Sequence, residues 1–456
     1  MNHAKLQKPD ESYQYYWGLD TMPATKGLII ESLGPCLWDS PIKLPDSGAY
    51  ISDDELMAVK PNLKSLLEQI QKGEQPEAFE VAGPRGKIYF DPEKVRAGIV
   101  TCGGLCPGLN SVIRALIMQL WHRYGCHYVE GLRGGYQGLS AKTLHHFNGL
   151  TPDDVEDIHT QGGTILGTSR GTPPTSEIVD TILAKGINML FVIGGDGTMR
   201  GAAFIDSELR KRGAKVAVIG IPKTIDNDIP WVRRSFGFET AVSVAVEAVK
   251  AAHVEAESVF NGIGLVKLMG RESGYIAANA TLASGDVNFC LVPEVDFNLE
   301  GKDGLYAALE RRLAAREHAV IVIAEGAGQK FFKTGGTRET DASGNLKLGD
   351  IGTYLRDTIR EHFKNKNIPM TLKYIDPSYI IRTHCGNAGD QLFCARLAQN
   401  AVHAAMTGRT GMLIGYWHGR MTHVPFDAIT GRQKINPAGE LWFNVLESTG
   451  QPAFFG

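Results

Sequence analysis

The run Asn188–Gly213, "NMLFVIGGDGTMRGAAFIDSELRKRG", decides the fold. Its first half is apolar and β-rich and ends on two glycines, which reads as a buried strand. After Thr198 the apolar residues return at helical spacing, which reads as an amphipathic helix. Within "VIGGDGT" a single carboxylate, Asp196, stands among three glycines. A strand passing through a glycine turn into a helix is the repeating unit of a parallel α/β sheet. Asp196 then has two readings. It caps the following helix, or it holds Mg²⁺ through water and phosphate oxygens.

The same unit recurs on both sides. Strand signals lie in "RAGIVTC" (96–102), "KVAVIGI" (215–221), "GIGLVKL" (262–268), "NFCLVPE" (288–294), "AVIVIAEG" (319–326), "TLKYIDPSYII" (371–381) and "GMLIGYW" (411–417). Helical runs alternate with them, among them 111–125, 176–186, 239–258, 274–284, 304–317, 353–364 and 389–406. From about residue 96 onward this predicts an α/β architecture with mostly parallel sheets. The first 95 residues read differently, as an N-terminal extension. There "GLIIESLG" (27–34) suggests a strand, 53–73 a mostly helical piece with a proline inside, and "FEVAGPRGKIYF" (79–90) a hairpin around Gly-Pro. The polar, Gly-rich run 329–349 reads as a mobile surface loop.

Composition narrows the classes. The chain has 456 residues, 43% hydrophobic, enough for two domains. A formal net charge of −3 argues against a general nucleic-acid surface. No apolar run reaches the ~18 residues of a membrane helix, and the polar start "MNHAKLQKPDESYQYY" does not read as a secretion signal. Seven cysteines without a CxxC pair suggest reduced thiols in a cytoplasm. Cys102 and Cys106 flank a glycine turn with no second ligand pair nearby, which argues against a metal site there.

Ligands of open α/β sheets bind beyond the carboxyl ends of the strands, so the turns after strands carry the candidates. "TCGGLCPGLN" (101–110) offers glycines before a helix, either a phosphate cradle or a plain turn. "GGTILGTSRG" (162–171) sets Arg170 among small residues, suited to a phosphoryl group or simply exposed. "GIPKTIDNDIP" (220–230) crowds Lys223, Thr224, Asp226 and Asp228 at one strand end. An Asx-rich turn accounts for "DND", but a carboxylate beside a lysine and a metal also suits a general base toward a hydroxyl. Arg271 in "MGR" begins a helix, Glu325 ends a strand, and Lys373, Tyr379 and Arg382 form a cationic, hydroxyl-bearing set suited to a sugar phosphate.

Together "GGDGT", "PKTIDND" and "MGR", in this order and spacing, resemble the phosphofructokinase family over roughly 96–430. "LGPCLWDSPI" and "KYIDPSYIIR" resemble the extended branch with plant, trypanosomatid and some bacterial enzymes. The resemblance implies two facing lobes, 96–238 with 381–431 for the nucleotide and 239–380 with 432–456 for the sugar phosphate, in a homodimer or homotetramer. It implies an ATP-dependent 6-phosphofructokinase acting on fructose 6-phosphate with Mg²⁺ at Asp196. Asp226 would be the base, with Thr224, Asp228, Arg170 and Arg271 in the catalytic set. Gly103, Arg170, Gly171, Gly195, Asp196, Gly197 and Thr198 would line the nucleotide. Thr224, Ile225, Asp226, Met269, Gly270, Arg271, Glu325, Lys373, Tyr379, Ile380, Ile381 and Arg382 would contact the sugar phosphate.

The chain departs from the short bacterial members at three positions. Lys223 replaces a Gly, Tyr379 a His, and Gly262 an Arg given by a neighbouring subunit. The last leaves part of the 6-phosphate site to another cation. Pyrophosphate-dependent members typically read Gly-Gly-Asp-Asp with a Lys in the later turn. Here Lys223 suits pyrophosphate, but Gly197 leaves a nucleotide's α-phosphate unobstructed, and exclusion outweighs a permissive lysine. NAD kinases and lipid kinases share "GGDGT" but lack the later motifs. A non-catalytic sugar-phosphate binder would be expected to have lost Asp196 or Asp226, and both are present.

Overall fold

The computed structural model describes residues 28–43, 50–140, 146–147, 149–169, 171–332 and 347–456. The first 16 residues, Arg170 and most of the 329–349 run therefore lie outside the described residues. In the N-terminal part come β1 (Glu31–Ser32), β2 (Trp38–Asp39), β3 (Leu56–Ala58), α1 (Leu63–Gln71), β4 (Ala78–Glu80) and β5 (Lys87–Ile88). Then follow β6 (Ala97–Thr101), α2 (Leu109–Gln119), β7 (Val129–Leu132), β8 (His146–Phe147), α3 (Thr175–Ala184), β9 (Met189–Gly194), α4 (Asp196–Lys211), β10 (Ala217–Pro222) and α5 (Phe238–Glu257). The second half holds β11 (Gly262–Leu268), α6 (Tyr275–Ser284), β12 (Phe289–Leu291), α7 (Leu305–Arg316), β13 (His318–Ala324), α8 (Ile351–Asn365), β14 (Thr371–Ile375) and α9 (Ser378–Thr383). It closes with α10 (Ala388–Met406), β15 (Arg409–Thr410), β16 (Met412–Trp417), β17 (Arg420–Pro425) and α11 (Glu440–Thr449).

Two sheets organise these elements. One has the order β17-β16-β10-β9-β6-β7-β8, parallel at its centre and antiparallel at both edges. The other, β12-β13-β11-β14, is parallel throughout. Every residue of β9 and β10 is buried, as expected of strands covered by helices on both faces. Each fully buried Phe, Ile or Val on them contributes about 1.5–3 kcal/mol of burial. The strand-to-helix joint that decided the fold is tight. A Cβ on Gly194 would lie 2.4 Å from the Thr198 side chain, so β9 enters α4 only through glycine.

Three local expectations are corrected. The 53–73 run is not one helical piece: β3 pairs with β4, and α1 starts after Asn62, whose side chain accepts from Ser65 N at 3.2 Å. A proline disfavours helix in the residue before it, and here the helix begins two residues after Pro61, with Asn62 as its N-cap. The 79–90 stretch is not a hairpin, because β4 pairs with β3 and β5 with β2. Buried Arg85 folds back instead, donating to Val81 O at 2.9 Å and to Asp53 Oδ1 at 3.0 Å. The strand expected over 371–381 stops at Ile375. Asp376 then accepts from Ser378 N at 3.1 Å, and Tyr379–Arg382 lie on α9.

Gly262 opens β11 between His318 and Thr371. A Cβ there would sit 2.0 Å from the carbonyl oxygen of Ala256, so this backbone has no room for the arginine of the short bacterial members. Gly262→Ala is therefore expected to destabilise the fold by about 1–3 kcal/mol, read as a fall in the urea midpoint. An unchanged midpoint would show that the α5–β11 turn yields freely.

Candidate active site

The carboxyl ends of β6, β9 and β10 face those of β11 and β13 across a cleft of about 390 Å³. Its lining includes Gly103, Gly171, Gly195, Asp196, Gly197, Thr198, Lys223, Thr224, Ile225, Asp226, Asp228, Met269, Arg271 and Arg382. Most of the residues singled out from separate sequence turns thus meet in one place. Lys373, Tyr379, Ile380 and Ile381 do not line it. Lys373 pairs with Glu255 at 3.2 Å, Tyr379 is 79% exposed, and Ile381 is buried in the core. Gly270 and Glu325 stand just behind the lining, where Gly326 N donates to Gly270 O at 3.0 Å and Glu325 N to Leu268 O at 2.9 Å.

The "DND" turn divides its labour. Asn227 takes a left-handed conformation, φ 53°, and its Oδ1 accepts from Ser235 N at 2.9 Å. The structural work of the turn therefore falls on the asparagine. Asp228 accepts from Thr224 Oγ1 at 3.1 Å and lies 3.4 Å from Arg432 Nη1. Asp226 is held by its backbone: its N donates to Thr224 Oγ1 at 3.1 Å, and Ser273 Oγ of the other lobe donates to its O at 3.0 Å. Its Oδ1 is buried and has no hydrogen-bond partner among the described residues. Burial, then the charges of Asp228 and Glu325, push the Asp226 carboxyl well above the ordinary carboxylate range. Burial also raises Asp228, with Arg432 opposing. Glu325 is raised by burial too, against the pull of Lys267, Arg271 and Arg382.

Asp196 does not cap α4; Gly195 holds the N-cap position and Asp196 lies in the first turn. Its Oδ2 pairs with Arg200 Nη2 at 3.1 Å. The Lys223 ammonium donates to Gly104 O at 2.6 Å, bracing the glycine turn after β6. Arg382 lines the cleft, and its Nε is buried with no hydrogen-bond partner among the described residues. The hard carboxylate oxygens of Asp196 on the cleft wall suit Mg²⁺, which takes one or two carboxylates plus phosphate oxygens.

Sequence reading missed Tyr136, Arg200 and Arg432 on the cleft wall. Tyr136 donates to Thr198 O at 2.7 Å and steadies the first turn of α4. Arg200 stands one helical turn after Asp196, a spacing that was legible. Arg432 sits in an irregular segment some two hundred residues from its partner, with no local signal.

A basin of buried acids and cations between two α/β lobes, at strand ends with glycine turns, is a phosphoryl-transfer type of site. The chain belongs to the phosphofructokinase family, whose pattern matches residues 96–405. It is 53% identical over 433 residues to an ATP-dependent 6-phosphofructokinase of Borreliella burgdorferi, covering 93% of this chain and 96% of that one. It is 54% identical over 380 residues to ATP-dependent 6-phosphofructokinase 7 of Arabidopsis thaliana, covering 83% and 78%. The ATP-dependent 6-phosphofructokinase of Trypanosoma cruzi is 50% identical over 378 residues, covering 82% and 77%. The fold is also that of a pyrophosphate-dependent phosphofructokinase from Marinobacter aquaeolei, with TM-score 0.63 at 18% identity, covering 75% and 86%.

Proposed function

We propose that this chain is an ATP-dependent 6-phosphofructokinase, converting fructose 6-phosphate to fructose 1,6-bisphosphate. The observation that carries the reading is the buried, partnerless Asp226 Oδ1 where the two lobes meet. Asp226 takes the proton of the sugar's C1 hydroxyl as that oxygen bonds to the γ-phosphorus. The bond from the γ-phosphorus to the β,γ-bridging oxygen breaks, and ADP leaves with that electron pair. Arg271 faces the transferring group, and Thr224 and Asp228 hold the base in place. Mg²⁺ at Asp196 would neutralise charge on the donor phosphates. Gly103, Gly171, Gly195, Gly197 and Thr198 line the nucleotide side, with Arg170 assigned beside them from sequence. Met269, Arg271 and Arg382 bound the sugar side, with Gly270 and Glu325 behind.

Gly197 supports ATP as donor. A Cβ there would meet nothing nearer than Arg200 Nη2 at 4.0 Å, so an Asp would fit the protein and project its charge into the cleft. Lys223 supports pyrophosphate less than its sequence position suggests, because its ammonium already holds the Gly104 carbonyl. We further propose lobes 96–238 with 381–431 and 239–380 with 432–456, and a homodimer or homotetramer. Arg382 stands without Lys373 at the cleft wall and Gly262 cannot be an arginine, so a cation from a neighbouring subunit would complete the 6-phosphate site. No helix among the described residues is long and apolar enough to cross a membrane, and all seven cysteines are free. We propose that the enzyme works in the cytoplasm.

A coupled assay with fructose 6-phosphate, Mg²⁺ and ATP or pyrophosphate tests the reading. Turnover with ATP is expected to fall roughly 10²–10⁴-fold in Asp226→Asn; turnover with neither donor, or an unaffected variant, overturns it. Gly197→Asp is expected to lower turnover with ATP and shift preference toward pyrophosphate, and unchanged ATP turnover would sink the donor assignment. Protonated Asp226 accepts no proton, so kcat/KM falls as pH drops through its raised pKa. Removing the neighbouring charge in Asp228→Asn lowers that pKa, so the acid limb is expected to move to lower pH. A limb that stays fixed would mean another group controls it.

A further inference from the structure

Among the described residues, one set of histidine and carboxylate side chains outside the cleft closes on itself: His253, Glu257 and His318, with ligand atoms within 4.8 Å of one another. His253 and Glu257 are one turn apart near the end of α5, and His318 opens β13. His253 Nε2 lies 3.3 Å and His318 Nε2 3.9 Å from the same Glu257 Oε1. Tetrahedral ligands about 2.0–2.1 Å from zinc stand about 3.3 Å apart, so the first pair already has that spacing and the second closes by a small movement.

The far nitrogens are placed as metal-bound imidazoles require. His318 Nδ1 lies 2.9 Å from the carbonyl oxygen of Arg316, which fixes its proton on Nδ1 and leaves the Nε2 lone pair toward Glu257. His253 Nδ1 faces Asp286 Oδ1 at 3.6 Å, the carboxylate–histidine pairing that orients a ligating ring. The two rings lie 5.4 Å apart. Both histidines are roughly four-fifths buried and Glu257 is half exposed, so water has access for a fourth position. Arg312 Nη2 is 3.5 Å from His318 Nε2, a long contact that an ion displaces, while Arg312 Nε keeps its bond to His318 O at 3.1 Å.

We propose that His253, Glu257 and His318 bind a divalent transition-metal ion, zinc first, clipping the end of α5 to the start of β13. Two imidazoles and one carboxylate select zinc-like ions over magnesium or calcium, which prefer all-oxygen shells.

The full-length protein, stripped with chelator and held in excess Mg²⁺ to cover the cleft carboxylates, is titrated with Zn²⁺ alone by calorimetry. One Zn²⁺ per chain is expected, with affinity falling at least tenfold in both His253→Gln and His318→Gln. Both variants should keep wild-type phosphoryl transfer, since neither residue lines the cleft, and that turnover reports correct folding. Added Co²⁺ should give visible d–d bands without a thiolate charge-transfer band. Zn²⁺ should also raise the thermal midpoint of wild type but not of the variants. Zn²⁺ affinity unchanged in both variants, a thiolate band that assigns the ion to cysteine, or no stoichiometric binding would each overturn the site.

Discussion

Two carboxylates two residues apart, both sunk at the end of a buried strand, repel each other and resist ionising. Much of the surrounding structure exists to make that crowding tolerable. Asn227 absorbs the left-handed backbone, and Ser235 ties the turn shut, donating to Thr224 O at 2.6 Å. Thr224 donates to one acid while its oxygen accepts the backbone of the other. Arg432 supplies the opposite charge nearest to Asp228. An unpaired buried charge costs several kcal/mol, and Asp226 Oδ1 is buried without a hydrogen-bond partner among the described residues.

The same crowding explains why the active site is also the seam between lobes. Ser273, from the turn after β11, donates across it to Asp226 O. The segment after β17 runs back over the cleft: Gln433 N donates to Asp228 O at 2.8 Å, and Arg432 reaches both Asp228 and Glu272 at 3.4 and 3.7 Å. Glu294 accepts from Gly274 N and Ile435 N, each at 2.9 Å, and anchors that segment to the second lobe. Opening the lobes would break bonds to the very turn that carries Asp226 and Asp228, so domain position and carboxylate position are one property.

Where the chain follows a local rule, the sequence was readable. The strand–glycine–helix unit at 188–213 passes from a continuous apolar run to a 3.6-residue period, and the other central strands repeat it. The site was readable for the same reason, since its residues cluster at strand ends. Reading failed where distant partners decide. Arg85 turned a promising hairpin into two separate pairings, and the Asp376 side chain, accepting from Ser378 N, ended a strand early just before the helix that carries Tyr379. Tyr136 and Arg432 acquire meaning only from atoms far away in the chain.

The two residues that disagreed about the donor are reconciled by geometry rather than by weighing. Lys223 and Gly197 belong to neighbouring turns of one cleft wall, yet they meet different demands. Lys223 is buried and spends a hydrogen bond on the Gly104 carbonyl, so its charge is partly committed to shaping the glycine turn that any phosphate donor needs. Gly197 sits where a side chain would enter open cleft space rather than the protein. A lysine that shapes the turn is compatible with a short or a long polyphosphate. A missing side chain in the cleft matters only to a donor long enough to use that space, which is why we propose that Gly197 rather than Lys223 carries the discrimination.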